Sequence, residues 1–146
     1  MSTSAAPRIA VIGGGAAGIT AVKELIERGV DVIAFEKGDR VGGLWVQDNT
    51  SGLSPAYDSL HLNTSKGRTE FADYPMPAEW EDYPAGTKVA GWLQDYAETF
   101  GVTQKYRFNT TVTSVRKDGA GWIIETDDRA RFEVDGVVVA NGHNWD

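Results

Sequence analysis

Two periods of hydrophobicity divide the chain. Residues 9–12, Ile9-Ala10-Val11-Ile12, form an unbroken apolar run closed by glycines, the pattern of a strand buried on both faces. From residue 15 to residue 28 the period changes. Ile19, Val22 and Ile26 recur at helical spacing, and Gly29 supplies the stop. Residues 32–35 are a second apolar run. The order predicts a strand, a helix and a second, parallel strand, joined by a right-handed crossover.

Periodicity then lapses. Residues 38–57 are glycine-rich and contain Gly42-Gly43-Leu44-Trp45, and residues 58–86 carry Pro75, Pro77 and Pro84. So long an irregular stretch is unusual in a compact domain, and such segments are usually functional or lie over a ligand. A helix is expected over 88–100, with Thr87 as N-cap, Val89, Leu93, Tyr96 and Phe100 as its buried stripe and Gly101 as its end. Alternation at period two follows over 107–116, 122–126 and 130–134. The turns lie at Asp118-Gly119-Ala120-Gly121 and Asp127-Asp128, which gives a three-stranded antiparallel meander. Residues 137–140 are apolar throughout and read as another parallel strand, ending at Asn141-Gly142.

Composition narrows the classes. The chain has 146 residues, enough for one domain over 1–146, with residues 1–7 expected as a flexible tail. Hydrophobic residues make up 41% and charged residues 24%, ordinary for a globular protein. The net charge of -7 argues against nucleic-acid and anionic-membrane partners, which need a basic surface. There is no cysteine, which excludes disulfides, thiolate metal sites and redox dithiols. His61 and His143 are too few to suggest a metal site. No apolar run reaches membrane-spanning length and the N-terminus lacks the pattern of a secretory signal, so a cytoplasmic location is expected.

The chemistry concentrates in the first thirty-six residues. Gly13-x-Gly15-x-x-Gly18 follows a strand and opens a helix, the context that a dinucleotide-binding turn requires. Gly13 permits the tight turn, Gly15 lets a pyrophosphate reach the backbone, and Gly18 lets helix and strand approach. The helix N-terminus then faces the phosphates. Glu36 ends the second strand, eighteen residues beyond Gly18, where a carboxylate can accept hydrogen bonds from a ribose diol. An acid there favours an unphosphorylated adenosine ribose, as in FAD or NAD, over NADP.

Further motifs separate these two. Glu36-Lys37 through Val41-Gly42-Gly43-Leu44-Trp45, then Leu60-His61-Leu62-Asn63-Thr64-Ser65-Lys66, Phe71 through Pro77 and Val138 through His143 occur in that order. Together they closely resemble the N-terminal part of class B flavin-dependent monooxygenases, the flavin-containing and Baeyer–Villiger-like enzymes, over nearly the whole chain. The resemblance implies an α/β fold: a Rossmann-like FAD-binding domain with a parallel sheet and a three-stranded antiparallel β-meander. It also implies FAD as cofactor. Gly13, Gly15, Ala16, Ala17 and Gly18 would hold the pyrophosphate, and Glu36 and Lys37 the adenosine ribose. Gly43, Leu44 and Trp45 would lie along the pyrophosphate and flavin. Asn63 and Thr64 would sit beside the isoalloxazine, and Leu62 and Asn63 would touch bound NADP. Val112 would offer a backbone contact to adenine, and Gly142 would end a strand near the pyrophosphate. Asn63 would act catalytically by stabilising a C4a-(hydro)peroxyflavin, a role that a neutral amide donor suits.

Blander readings stand beside these. Trp45 can plug a core, Asn63 can close an Asx-turn, and His61 is more simply a solvated or packed histidine. Tyr74-Pro75-Met76-Pro77 reads as a rigid turn, and Trp80, Tyr83 and Trp92 as packing aromatics. The resembled family also has a second glycine fingerprint for NADPH and a C-terminal segment that completes the FAD domain, and neither occurs in this sequence. The expectation is therefore an incomplete FAD-binding domain of an NADPH-dependent monooxygenase, with NADPH used only by a full-length parent. The alternatives are a non-catalytic FAD or ADP module, or part of another two-dinucleotide flavoprotein. An edge exposed beside residues 137–140 suggests self-association.

Overall fold

The computed structural model describes residues 6–142. In chain order these give β1 (Arg8–Ile12), α1 (Ala16–Glu27), β2 (Asp31–Phe35), a 3-10 turn (Gly43–Trp45) and the short α2 (Lys66–Thr69). Then come α3 (Gly86–Thr99), a second 3-10 turn (Thr103–Lys105), β3 (Tyr106–Arg107), β4 (Val112–Asp118), β5 (Gly121–Thr126), β6 (Arg131–Val134) and β7 (Gly136–Val139). One sheet has the order β3-β2-β1-β7 and is parallel throughout; the other is the antiparallel meander β4-β5-β6. From β1 the chain passes through α1 to β2 on one side, whereas β7 docks on the other. The strand order therefore reverses at the C-terminal end of β1, the place where open α/β sheets form a binding crevice.

The unbroken apolar runs are explained by the two faces of this sheet. Val11, Val32 and Ala34 point into one core with Ile19 and Val22 of α1 and Val89, Trp92, Leu93 and Tyr96 of α3. Their alternates Ala10 and Phe35 point into a second core with Ile124 and Val134 of the meander. With helices on one face and a sheet on the other, residues 9–12 and 32–35 are apolar throughout, as a two-sided burial demands. The expected class, parallel sheet plus meander, is what the chain adopts.

The long irregular segment is held by side chains rather than by periodic structure. Lys66 Nζ donates to the carbonyls of Pro77, Ala78 and Trp80 at 3.0, 2.8 and 2.6 Å, which uses all three ammonium protons. Phe71 and Tyr74 pack against Trp92 with tilted rings and against Tyr96 edge to face. Lys23 of α1, almost wholly buried, pairs with Asp73 at 2.7 Å and with Glu27 at 2.9 Å. Hydrogen bonds to these carboxylates, Asp73 first, raise its pKa above the usual lysine range.

Two expectations change. The strand expected over 107–116 is two elements. β3 joins the parallel sheet beside β2, and the meander begins only at Val112. Between them Asn109 takes a left-handed φ of 49°, a conformation asparagine tolerates. The N–H groups of Asn109 and Thr110 donate to Gly38 O and Glu36 O. Thr87 is not the N-cap of α3: Ala85 is, with Gly86 as the first residue. The N–H of Gly86 is taken by Leu60 O at 2.7 Å, so a tertiary acceptor replaces the side-chain cap. The expected tail over 1–7 lies outside the described residues up to position 5, as does His143, while Pro7 O already accepts from Asp31 N–H.

Candidate functional site

The Gly13–Gly18 turn sits at the strand-order reversal, and its peptide groups are fixed one by one. Gly13 N–H donates to Phe35 O at 2.8 Å, and Gly13 takes φ +108°. Tyr106 Oη donates to Gly13 O at 2.9 Å. Gly14 N–H donates to Glu36 Oε2 at 2.6 Å, while Gly42 N–H reaches Gly14 O at 2.9 Å. The other carboxylate oxygen, Glu36 Oε1, accepts from Gly38 N–H at 2.6 Å. Gly15 is the N-cap of α1 and offers no side-chain cap. Ala16 and Ala17, which begin the helix, are exposed. The first-turn N–H groups and the positive end of the helix dipole thus face outward from a rigid turn, the arrangement that suits an anion.

Two glycines have different reasons to be there. A Cβ on Gly18 would lie 1.9 Å from Gly13 O and 2.9 Å from Tyr106 Oη, so close contact between α1 and the turn requires it. A Cβ on Gly15 would meet only Gly43 Cα, at an ordinary 3.7 Å, and Gly15 has φ -76° and ψ -174°, which any residue can adopt. The protein itself makes no demand for glycine at position 15. Glycine there keeps the backbone before the helix N-terminus open to the close approach that a pyrophosphate needs. The residues present therefore fit a dinucleotide.

The other expected residues are placed as follows. Gly43 packs back to back with Gly15: a Cβ on it would come within 2.8 Å of Gly15 Cα. Leu44 is exposed, and Trp45 is half-buried with part of its ring against the helical core, so the core-plug reading of Trp45 holds at least on one side. Lys37 is exposed. Leu62 is buried in the helical core and its N–H donates to Pro84 O at 3.0 Å. Asn63 and Thr64 are exposed on the loop that follows, where Thr64 Oγ1 meets Thr69 Oγ1 at 2.8 Å. α3 carries both segments, since Gly86 binds Leu60 O and Gln94 Nε2 donates to Val41 O. Val112 lies two residues beyond Thr110, whose N–H binds Glu36 O, which sets it on the Glu36 side of the site. Gly142 is exposed just past Ala140, whose N–H donates to Ile12 O at 2.8 Å. His61 is exposed, with Nδ1 2.9 Å from Ser59 O, as the solvated reading expects.

Sequence reasoning missed Tyr106. It is buried, and desolvation first, then the charge of Glu36, pushes its hydroxyl pKa well above the ordinary tyrosine value. The group is a permanent proton donor to Gly13. The only hint in the sequence is an aromatic pair, Tyr106-x-Phe108, whose rings stack at 5.7 Å.

Comparison with known proteins agrees with this geometry. The family described as flavin-binding monooxygenase-like matches residues 6–145. Flavin-containing monooxygenase 5 of Rattus norvegicus is 38% identical over 95% of this chain, which spans 28% of that protein's length. Among solved structures, S-allyl-L-cysteine S-oxygenase from Allium sativum superposes with a TM-score of 0.83 at 28% identity, over 95% of this chain and 37% of the other. OTEMO in complex with FAD and NADP gives a TM-score of 0.80 at 26% identity, over 96% of this chain and 26% of the other. A turn that offers free helix N–H groups, a carboxylate at the end of β2 and a match running almost end to end lead to one statement: the chain belongs to the flavin-binding monooxygenase-like family.

Proposed function

We propose that this chain binds FAD at the Gly13–Gly18 turn and is the FAD-binding portion of an NADPH-dependent flavin monooxygenase. The observation that carries the reading is Gly15, a glycine with neither a backbone nor a packing reason, set at an uncapped helix N-terminus. In this reading Gly13, Gly15, Ala16, Ala17 and Gly18 hold the pyrophosphate, and Gly43, Leu44 and Trp45 flank it. Glu36 and Lys37 take the adenosine ribose, Val112 the adenine, and Gly142 the far side of the pyrophosphate. Leu62, Asn63 and Thr64 face the flavin and NADP. Bound flavin would supply oxygen activation for transfer to nitrogen or sulfur nucleophiles or to ketones. The amide of Asn63, exposed in this structure, is available to donate a hydrogen bond there.

The test is a titration with FAD followed by flavin absorbance and fluorescence, on the wild type and on Gly15→Ala. The wild type binds. The variant keeps its stability within about 1 kcal/mol, as expected at an N-cap where a new methyl meets only Gly43 Cα at an ordinary 3.7 Å, and loses at least tenfold in FAD affinity. No FAD binding by a folded wild type refutes the reading, and an unchanged affinity in the variant moves the pyrophosphate elsewhere. ADP binding as tightly as FAD would favour a plain nucleotide module.

Two finer points belong to the same proposal. Among the described residues no strand pairs with the outer side of β7, where Val139 is 68% exposed, and a second copy could add there; a strict monomer in light scattering at high concentration refutes it. None of the described helices is long and apolar enough to cross a membrane, and the cytoplasmic location is checked by cell fractionation.

A further inference from the structure

The peptide group between Gly13 and Gly14 is held from two sides. In a trans peptide the C=O and the N–H point in opposite directions across one rigid plane. Here the C=O of Gly13 accepts from Tyr106 Oη at 2.9 Å, and the N–H of Gly14 donates to Glu36 Oε2 at 2.6 Å. The phenol comes from β3, two strands away from β1. Tyr106 is in register with Ala34, and Ala34 with Val11, so the ring passes over the small alanine to reach the turn. Gly18 leaves the room for its tip: a Cβ there would stand 2.9 Å from Tyr106 Oη.

We propose that Tyr106 is a positioning residue for the phosphate-binding turn, acting with Glu36 to lock the Gly13–Gly14 peptide plane before any nucleotide arrives. One further peptide, whose C=O accepts from Gly42 N–H at 2.9 Å, joins this plane to Gly15, so its orientation helps to set where the N–H groups at the start of α1 are aimed. Freed from the phenol, the peptide can rotate about the soft dihedrals of Gly13 and Gly14, since glycine resists rotation least. Ligand binding would then have to order the turn, and affinity falls by the fraction of molecules that hold the competent form. The hydroxyl touches no ligand in this account. It acts through the backbone, and so it influences the phosphates and not the adenosine. The ligand half of the proposal rests on the FAD-binding reading; the clamp itself does not.

The test uses Tyr106→Phe, which keeps the ring and removes only the donor. In the ligand-free protein, hydrogen exchange of the Gly14 amide, followed by NMR, accelerates about fivefold, the loss of one hydrogen bond. Dissociation constants for FAD and for ADP rise together by about three- to tenfold. The constant for adenosine, which lacks phosphates, stays within twofold. Unchanged Gly14 exchange, unchanged FAD affinity, or an equal weakening of adenosine each overturns the proposal, the last because it marks a general loss of structure. A wild type that binds no FAD refutes the FAD-binding reading, and Gly14 exchange in the variant then still decides the clamp. Should the variant not fold, the wild type decides: without ligand its Gly14 amide must exchange more slowly than those of Ala16 and Ala17, and equal rates overturn the clamp.

Discussion

Replacing a helical glycine by alanine ordinarily stabilises a protein by about 0.5–1 kcal/mol, because alanine has the better helix propensity. Among the helical glycines, Gly18 and Gly91 should depart from each other sharply on this point. At Gly91 in α3 a new Cβ meets nothing within 4 Å, so Gly91→Ala should gain the full amount. At Gly18 in α1 it would lie 1.9 Å from Gly13 O and 2.9 Å from both Gly13 C and Tyr106 Oη. The first distance is roughly 1.5 Å short of ordinary contact. The obstructing carbonyl cannot swing away, because its peptide is bonded to Tyr106 and Glu36. Overpacking of this kind costs about 1–3 kcal/mol, and the upper end applies where backbone meets backbone. After the propensity gain is set against it, Gly18→Ala should lose about 2 kcal/mol, or roughly 4–8 °C in Tm for a chain of this size. Urea unfolding of the two variants and the wild type measures this directly, with equal slopes showing that only stability has changed. A Gly18→Ala protein as stable as the wild type, beside a stabilised Gly91→Ala protein, would refute the claim that α1 is seated on the turn at this point.

Two further outcomes follow from the irregular segment. Lys66→Met leaves the carbonyls of Pro77, Ala78 and Trp80 without their shared donor and should cost about 1–2 kcal/mol, read by urea unfolding and by a change in Trp80 fluorescence. The hydrogen bond from Lys23 holds the Asp73 carboxyl below its ordinary 3.8. A carboxyl depressed in the folded state contributes stability above the unfolded value and loses it as pH falls through the folded one. The Tm gap between wild type and Asp73→Asn should therefore be constant above about pH 5 and close below 3.8; a gap that widens on acidification would contradict the pairing.

What could be read in the sequence was local. β1, the glycine turn, α1, β2 and Glu36 lie within thirty-six residues, and each is announced by a period or a spacing. β7 was legible because four apolar residues in a row, set between Gly136 and Gly142, read as a strand, although its outer side leaves Val139 exposed. The misses are all tertiary. β3 is two residues long, too short for any period, and it exists because β2 offers a free edge some seventy residues earlier. The break at Asn109 is encoded only in that residue's tolerance of a left-handed φ. Thr87 had the right chemistry for a cap, but Leu60 supplied the acceptor first. Tyr106 meets Gly13 across ninety-three positions, and no window along the chain contains both. In the site, the glycines and Glu36 were legible as candidates for ligand contact, whereas the bracing of Gly14 and Gly38 by Glu36 was not.

The route from β3 to β7 carries a lesson for anyone rebuilding this protein. The two strands are parallel members of one sheet, so the chain must travel from the C-terminal end of one to the N-terminal end of the other. It enters the meander beside Glu36, where Thr110 N–H binds Glu36 O. It leaves at Asp135, whose N–H and carboxylate both bind the backbone of Arg8. The three antiparallel strands thus occupy the slot that a connecting helix fills in a simpler α/β unit. A short loop cannot replace them, because the five residues of β1 alone extend about 17 Å. A helix of at least ten to twelve residues could, provided that it brought its own apolar stripe to cover Ala10 and Phe35. Such an exchange would splice at residues 110 and 135 and would remove Val112 together with the meander.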